Sequence, residues 1–154
     1  MAIEPPIYTI KNAHLSFGLN PLFTGVDLNI NRGDKICLVG RNGSGKSTLM
    51  KVISGIIEPD NAEIFIQPGI KISYMPQEAE YNNFKTLRDV VASGIENFTQ
   101  EQNYKVDILI KHFNILENQN PMQSSGGELK KASLAKALVS EPDILLLDEP
   151  TNHL

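Results

Sequence analysis

The residues best suited to chemistry form a glycine-rich run that begins at position 40. It reads Gly-Arg-Asn-Gly-Ser-Gly-Lys-Ser and fits the pattern G-x-x-x-x-G-K-[ST] in full. Glycines let such a loop curl so that its N–H groups point inward, and a helix that begins there adds about half a positive charge. The run therefore predicts a phosphate-binding loop, in which Lys46 reaches the β- and γ-phosphates of a nucleotide and the Ser47 hydroxyl binds Mg²⁺. A chance glycine turn before a helix is the alternative, and it leaves the small residues without a use. The residues predicted to contact the nucleotide here are Gly40, Arg41, Asn42, Gly43, Ser44, Gly45, Lys46, Ser47 and Thr48.

Two adjacent carboxylates follow a fully apolar run at residues 144–147. A buried strand of this kind delivers acid groups to its carboxyl end, where open α/β sheets bind ligands. We expect Asp148 to hold Mg²⁺, directly or through water, and Glu149 to orient and deprotonate an attacking water. The alternative is a buried strand that ends in two solvated acids. Taken alone that is the more frequent case, but the glycine-rich run makes the catalytic interpretation the stronger one.

A third candidate is the run Ser125-Gly126-Gly127, which opens a helix predicted over residues 128–139. A Ser-Gly-Gly sequence at a helix N-terminus can cradle an anion. A plain helix cap explains Ser125 equally well, but a cap does not need two glycines.

The elements that must position these residues indicate an α/β sheet with an appended helical part. Strands are predicted from alternating or continuous apolar residues, and helices from apolar residues at helical spacing. The predicted strands are residues 7–16, 26–30, 35–39, 63–67, 70–74 and 144–147; the predicted helices are 46–54, a short one opened by the capping box of Thr86 and Asp89, 106–113 and 128–139. The strand at 35–39 is expected to be buried on both faces, and Gly55 to stop the helix that follows the glycine-rich run.

Length and composition exclude several classes of protein. The 154 residues suit one domain or part of one, and 41% hydrophobic with 21% charged residues indicates a soluble globular chain. No apolar run approaches the length of a transmembrane helix, and we expect no signal peptide, so the cytoplasm is the predicted compartment. The formal net charge of −4 does not support a general nucleic-acid surface. The single cysteine, Cys37, excludes an intrachain disulfide and is predicted to be a small buried residue.

In their order and coarse spacing, these motifs resemble those of ABC-type ATPases over essentially the whole chain. Residues 40–47 are similar to the Walker A loop, Gln77 to the Q-loop glutamine, residues 125–128 to the signature motif and residues 145–149 to Walker B. The resemblance implies a P-loop core sheet with an antiparallel β subdomain and a short helical subdomain. It also implies one partial ABC ATPase domain over residues 1–154, C-terminally incomplete, with the helical subdomain at about 78–140.

The resemblance further implies hydrolysis of ATP to ADP and phosphate between two ATPase units, each of which faces the nucleotide of the other. Ser125, Gly126 and Gly127 would then meet the γ-phosphate held by a second ABC ATPase unit, in a tandem or a dimer. Gln77 would sense Mg²⁺ and the attacking water, and would join Ser47 and Asp148 as a metal residue. Glu149 would be the catalytic base.

Phe17 lies where ABC ATPases place an aromatic residue that stacks on adenine. A core phenylalanine is the alternative at this position.

The end of the chain resembles the ABC-F type, which are tandem ATPases without membrane domains. Residues 147–154 read Leu-Asp-Glu-Pro-Thr-Asn-His-Leu, and residues 13–18 and 37–42 are most similar to the first ATPase unit of Uup-type proteins. The ABC-F resemblance implies action on ribosomes, and the Uup-type resemblance implies a link to branched DNA. The alternatives are the ATP-binding subunit of a membrane transporter and a truncated, non-catalytic remnant.

Three features depart from the ABC-F pattern. Ser124 stands where the signature motif usually has Leu, and the long charged arm expected between Gln77 and Ser125 is absent. The chain also stops before the Asp of the D-loop and before the switch histidine on a later strand. We therefore expect the strands at 35–39 and 144–147 to lack the neighbour that they would share.

Overall fold

The structure, a computed structural model, describes residues 4–149. The chain divides into two units, the first ending at Ile70 and the second beginning at Lys71. Residues 150–154, which carry part of the ABC-F resemblance, lie outside the described residues. Among residues 4–149, none of the helices has the length and apolar character needed to cross a membrane.

The first unit is built on an antiparallel sheet of three strands. They are β1 (Tyr8–Phe17), β2 (Asn20–Ile30) and β3 (Asn61–Ile66), and β1 lies in the centre. Irregular pairing between β1 and β2 near Asn12, which has a φ of 49°, shifts the alternation of buried residues along β1. The strands predicted at 7–16, 26–30 and 63–67 are confirmed, and the antiparallel β part of the expected fold is present.

The prediction of a buried strand at residues 35–39 is wrong. This segment has no regular secondary structure, and Ile36 and Val39 are 49% and 91% exposed. A strand forms only when a neighbour accepts and donates its backbone hydrogen bonds, and in the described part of the chain no strand pairs with this segment. The prediction that Cys37 is buried is wrong for the same reason, since the thiol lies on this exposed segment.

Helix α1 (Lys46–Ile53) follows the glycine-rich run and buries Met50, Val52 and Ile53. It ends as its sequence predicts. Gly55 takes a φ of 77°, its N–H donates to the Val52 carbonyl, and the next N–H donates to the Lys51 carbonyl. This is the Schellman arrangement that a left-handed glycine favours.

In its described part, residues 71–149, the second unit combines two parallel strands with three α-helices. Strands β4 (Ile72–Met75) and β5 (Ile144–Leu147) pair in parallel, with Tyr74 opposite Leu146. The helices are α2 (Leu87–Ala92), α3 (Asn103–Phe113) and α4 (Gly126–Leu138). These elements confirm the strands predicted at 70–74 and 144–147 and the three predicted helices. Within residues 4–149 the other edge of β5 has no strand beside it.

The three helices share one apolar core. Its buried members are Leu87, Val90, Val91, Val106, Ile115, Ala132, Ala135 and Val139. Because α4 contributes mainly alanines here, α2 can pack close to its backbone. Arg88 of α2 is also joined to α3 and to the segment after it, because its guanidinium lies 2.6 Å from Asp107 and 2.7 Å from Glu117. These partners raise the pKa of Arg88 further above its ordinary value, and the hydrogen bond to Asp107 is the largest cause.

Candidate functional site

No side chain accepts a hydrogen bond from the free N–H groups at the N-terminus of α1. The helix begins at Lys46, after Gly45 with a φ of 91°, and no side chain caps it and no acid lies in its first turn. The first N–H groups of a helix have no intrahelical partner, and the dipole adds positive charge there. The site therefore suits an anion such as a phosphate group.

The loop before α1 is folded tightly around the Lys46 side chain. The ammonium donates to the carbonyls of Gly40 and Arg41 at 2.9 and 3.0 Å, and the Ser44 N–H donates to the Arg41 carbonyl at 3.1 Å. A Cβ on Gly40 would lie only 2.7 Å from Ser44 Oγ, so a larger residue here would force the Ser44 hydroxyl to move. Carbonyl groups of the predicted loop thus converge on the Lys46 ammonium, which is the cation that a phosphate-binding loop needs.

Phe17 ends β1 and is 58% exposed. The alternative of a core phenylalanine is therefore wrong.

Asp148 is buried at the carboxyl end of β5, with 3% of its surface exposed. Its N–H donates to the Met75 carbonyl at 3.0 Å, and its Oδ2 accepts the Tyr74 hydroxyl at 3.0 Å. Burial raises the pKa of Tyr74 above its ordinary value, and the hydrogen bond to Asp148 and the charge of that carboxylate raise it further. For Asp148, then, the alternative of a solvated acid is wrong.

Glu149 is half-buried and has a φ of 45°, in the left-handed region that few residues other than glycine adopt. Gln77 lies just after β4, and its Nε2 donates to Glu149 Oε2 at 2.9 Å. From α4, Lys130 Nζ donates to the Glu149 carbonyl oxygen at 3.2 Å. The second unit thus brings Gln77, Asp148 and Glu149 to the carboxyl end of its two strands, with Glu149 held from two sides.

Ser125 is a helix cap in this structure. Its Oγ accepts the Glu128 N–H at 3.3 Å, and Glu128 Oε2 accepts the Ser125 N–H at 2.7 Å. The Ser125 hydroxyl also donates to Glu128 Oε2, at 2.8 Å. The two bonds that this carboxylate accepts from Ser125 lower the pKa of Glu128, the backbone bond most and the hydroxyl bond next. A Cβ at Gly126 or Gly127 would meet nothing within 4 Å. Packing among the described residues therefore does not account for the double glycine.

The donor set fits a magnesium nucleotide better than a bare metal ion. Among residues 4–149 no three acidic, His or Cys side chains gather into a cluster that could hold a cation. Mg²⁺ usually binds one or two carboxylates together with phosphate oxygens and water. Asp148 and Gln77, at the carboxyl end of the two strands of the second unit, carry oxygen atoms of the kind that this mode uses.

Sequence reasoning missed Tyr74 and Lys130. Both act over long sequence separations, Tyr74 on Asp148 and Lys130 on Glu149. Parallel pairing of β4 with β5 would have indicated Tyr74, but no short-range pattern identifies which strands pair. For Lys130, the sequence feature that comes closest to indicating a role is its position, one turn into the helix that Ser125 caps.

The profile of the ABC transporter family matches residues 23–152. Among curated relatives, the ATP-binding protein Uup of Caulobacter vibrioides is 42% identical over 97% of this chain and 24% of its own length. Uup of Escherichia coli is 34% identical over 96% of this chain and 29% of its own length. The zinc import ATP-binding protein ZnuC of Buchnera aphidicola subsp. Schizaphis graminum is 34% identical over 94% of this chain and 61% of its own length. The chain thus spans about a quarter of the length of the Uup relatives that it matches.

Solved structures show the same fold. A nucleotide-free ATP-binding cassette from an ABC transporter matches 97% of this chain and 71% of its own, at 22% identity and a TM-score of 0.83. A dimeric ATP-binding cassette in a post-hydrolysis state with ADP and Pi matches 96% and 75%, at 24% identity and a TM-score of 0.81. The expected fold class, a P-loop α/β core with an antiparallel β part and a helical part, is confirmed.

Proposed function

The chain belongs to the ABC transporter family of ATPases, and on that premise we propose that it binds ATP with Mg²⁺ and hydrolyses it as part of an ABC-F, Uup-like ATPase. The observation that carries the proposal is the loop of residues 40–47. The Lys46 ammonium donates to two carbonyls of this loop. The loop leads into a helix whose N-terminus is not capped by any side chain. A polyanion is the ligand that satisfies both groups at once.

The phosphates of ATP are bound by the N–H groups of residues 40–48 and by the Lys46 ammonium. Bound phosphate oxygens would replace the carbonyls of Gly40 and Arg41 as acceptors for that ammonium, and a charged acceptor makes a stronger hydrogen bond. Phe17 stacks on the base. In a tandem or dimer, residues 125–127 contact the γ-phosphate held by the second ABC ATPase unit; the dimeric cassette among the solved structures supports such pairing.

Ser47, Gln77 and Asp148 hold the cation. When bound, Mg²⁺ supplies positive charge to the phosphate oxygens and so stabilises the charge that develops during transfer. Asp148 is suited to this role because it is buried, its main chain is held by β4, and its carboxylate accepts a hydrogen bond from the Tyr74 hydroxyl.

Glu149 accepts a proton from the attacking water. A general base must lie within hydrogen-bond reach of the water and present a free oxygen lone pair. The Gln77 amide donates to Oε2 of this carboxylate and so orients it at the carboxyl end of the two strands. Lys130 holds the main chain of the same residue through its carbonyl. The conformation of Glu149 is therefore set before ATP binds.

Substitution of Lys46 tests the binding step. In the full-length protein, Lys46→Ala should weaken Mg-ATP binding at least about tenfold, since a charge-assisted hydrogen bond contributes about 1.5–3 kcal/mol. Isothermal titration calorimetry measures this. Lys51→Ala, in the last turn of the same helix, is the matched control and should bind normally. Unchanged affinity in Lys46→Ala would remove the proposed phosphate site.

Substitution of Glu149 separates binding from turnover. Glu149→Gln should keep the affinity for ATP and lower the rate of hydrolysis by about 10² to 10⁴, because an amide cannot accept the proton. Glu141→Gln makes the same chemical change at an exposed residue paired with Lys105, and should hydrolyse ATP normally. Near-normal phosphate release by Glu149→Gln would show that another residue is the base.

The cellular partner follows from the subfamily. The ABC-F resemblance of the sequence and the similarity to Uup support a cytoplasmic protein that acts on ribosomes or branched DNA. The similarity to ZnuC favours the second candidate, the ATP-binding subunit of a membrane transporter. Glu149→Gln loaded with ATP should co-sediment with purified ribosomes or bind a branched DNA substrate; binding to neither, together with recovery in the membrane fraction, would favour the transporter role.

A further inference from the structure

The hydroxyl of Tyr74 lies 3.0 Å from Oδ2 of Asp148, the carboxylate proposed above to hold the cation. Tyr74 belongs to β4 and stands opposite Leu146 in the parallel ladder, two residues before Asp148 on β5. The contact thus depends on strand pairing across 74 positions of sequence.

The Tyr74 contact constrains the one part of Asp148 that the sheet leaves free. The ladder already holds the Asp148 main chain, because its N–H donates to the Met75 carbonyl at 3.0 Å. The side chain can still rotate about its own bonds, and with 3% of the residue exposed, little water is present to orient it. The phenol donates to Oδ2 and thereby fixes the plane of the carboxylate, which leaves Oδ1 for another partner.

We propose that Tyr74 is a positioning residue for Asp148, whose hydroxyl orients the carboxylate and so sets its affinity for the divalent cation of a bound nucleotide. The inference rests on the proposed function. Partners that orient a metal-binding carboxylate typically change metal affinity about 10- to 100-fold when they are removed. Tyr74 is not among the residues proposed to contact the nucleotide, so its removal should change only the affinity for the cation.

Tyr74→Phe is the direct test, because it removes the hydroxyl and keeps the ring. Mn²⁺ replaces Mg²⁺ as the probe, and its binding to the full-length protein with the β,γ-imido analogue of ATP is followed by electron paramagnetic resonance. We expect Mn²⁺ affinity to fall about 10- to 100-fold. Affinity for the analogue in EDTA, without a divalent cation, should stay unchanged.

Tyr81→Phe is the matched control. This tyrosine lies in the same unit, and its hydroxyl is hydrogen-bonded to Ser133 Oγ at 2.6 Å, a serine of α4 that is not among the proposed cation residues. The control loses a similar hydrogen bond and should keep normal Mn²⁺ affinity. If both variants lose thermal stability and neither changes Mn²⁺ binding, Tyr74 is structural and the inference is overturned.

A double-mutant cycle with Asp148→Asn tests whether Tyr74 acts through Asp148. In the Asp148→Asn background, Tyr74→Phe should change Mn²⁺ affinity no further; an undiminished effect there would contradict the positioning role. The wild-type protein separates this inference from its premise. If wild type binds neither analogue nor Mn²⁺, the proposed function fails, whereas normal binding by wild type and by Tyr74→Phe alike overturns only the role of Tyr74.

Discussion

Gly94 lies just after α2, where the chain comes close to the backbone of α4. A Cβ built on it would lie 2.0 Å from the Lys136 carbonyl oxygen and 2.6 Å from Val139 Cγ1. Real Cβ atoms essentially never come within 3.0 Å of another group, so Gly94→Ala must push the two segments apart by about 1 Å. The φ of Gly94 is not in the left-handed region, so any loss of stability will be steric.

The magnitude of this loss follows from two opposing effects. Overpacking a well-packed core destabilises by about 1–3 kcal/mol, and the upper part of that range applies because one neighbour is a helix carbonyl that cannot rotate away. Replacing glycine with alanine also restricts the unfolded chain, which stabilises by about 0.4–1 kcal/mol. The net effect of Gly94→Ala is a loss of roughly 1–2 kcal/mol of unfolding free energy.

Gly127→Ala is the matched control, since a Cβ there meets nothing within 4 Å. In the first turn of α4 this change should be neutral, or should stabilise by up to about 1 kcal/mol, because alanine favours a helix. Urea unfolding curves, followed by circular dichroism, measure both variants against wild type. Wild-type stability in Gly94→Ala, or an equal loss in both variants, would refute the close packing of Gly94 against α4. Gly127→Ala should nonetheless lower ATP turnover if a ligand approaches the backbone there.

Three further outcomes are expected. Lys130→Ala should lower the ATPase rate, because its ammonium donates to the Glu149 carbonyl oxygen and helps to hold the proposed base in place; equal rates in steady-state phosphate release would contradict this. Arg88→Ala should lower the unfolding free energy by about 1–3 kcal/mol in urea titrations, since two partly exposed carboxylates lose their shared partner. The pKa of Glu128 is lowered by its bonds to Ser125, so its stabilising effect is present above the unfolded-state pKa of about 4.3 and is lost as the pH falls through the folded-state pKa. Glu128→Gln should therefore be less stable than wild type at pH 7, and the difference should shrink in unfolding curves measured near pH 3.

Features that depend on near neighbours in the chain could be predicted from the sequence. The capping boxes at Thr86 and Ser125 form as their spacing indicates, and Gly55 stops α1 in a left-handed conformation. The glycine-rich loop likewise leads directly into α1 at Lys46. In each case the groups that satisfy one another lie within a few residues, so their types and spacing were sufficient.

Features that depend on strand pairing could not be predicted in this way. Residues 35–39 have the apolar composition of a buried strand, yet they are exposed because composition does not supply a hydrogen-bonded neighbour. Cys37 is exposed because the whole segment is exposed, although a free cysteine is usually buried. The role inferred for Tyr74 has the same origin, since the tyrosine meets Asp148 only when β4 pairs with β5 in one register.

The two adjacent acids occupy different environments because of the alternation of a β-strand. Along β5, Ile144 and Leu146 are buried, and Asp148 continues that pattern two residues further on. A carboxylate on the buried face needs a donor from within the sheet, and the neighbouring strand supplies the Tyr74 hydroxyl. Glu149 falls on the opposite phase of the pattern, is less buried, and is held by the amide of the exposed Gln77, where water can reach it. The fixed, buried position of Asp148 therefore supports its proposed role with the cation, and the accessible position of Glu149 supports its proposed role as the base.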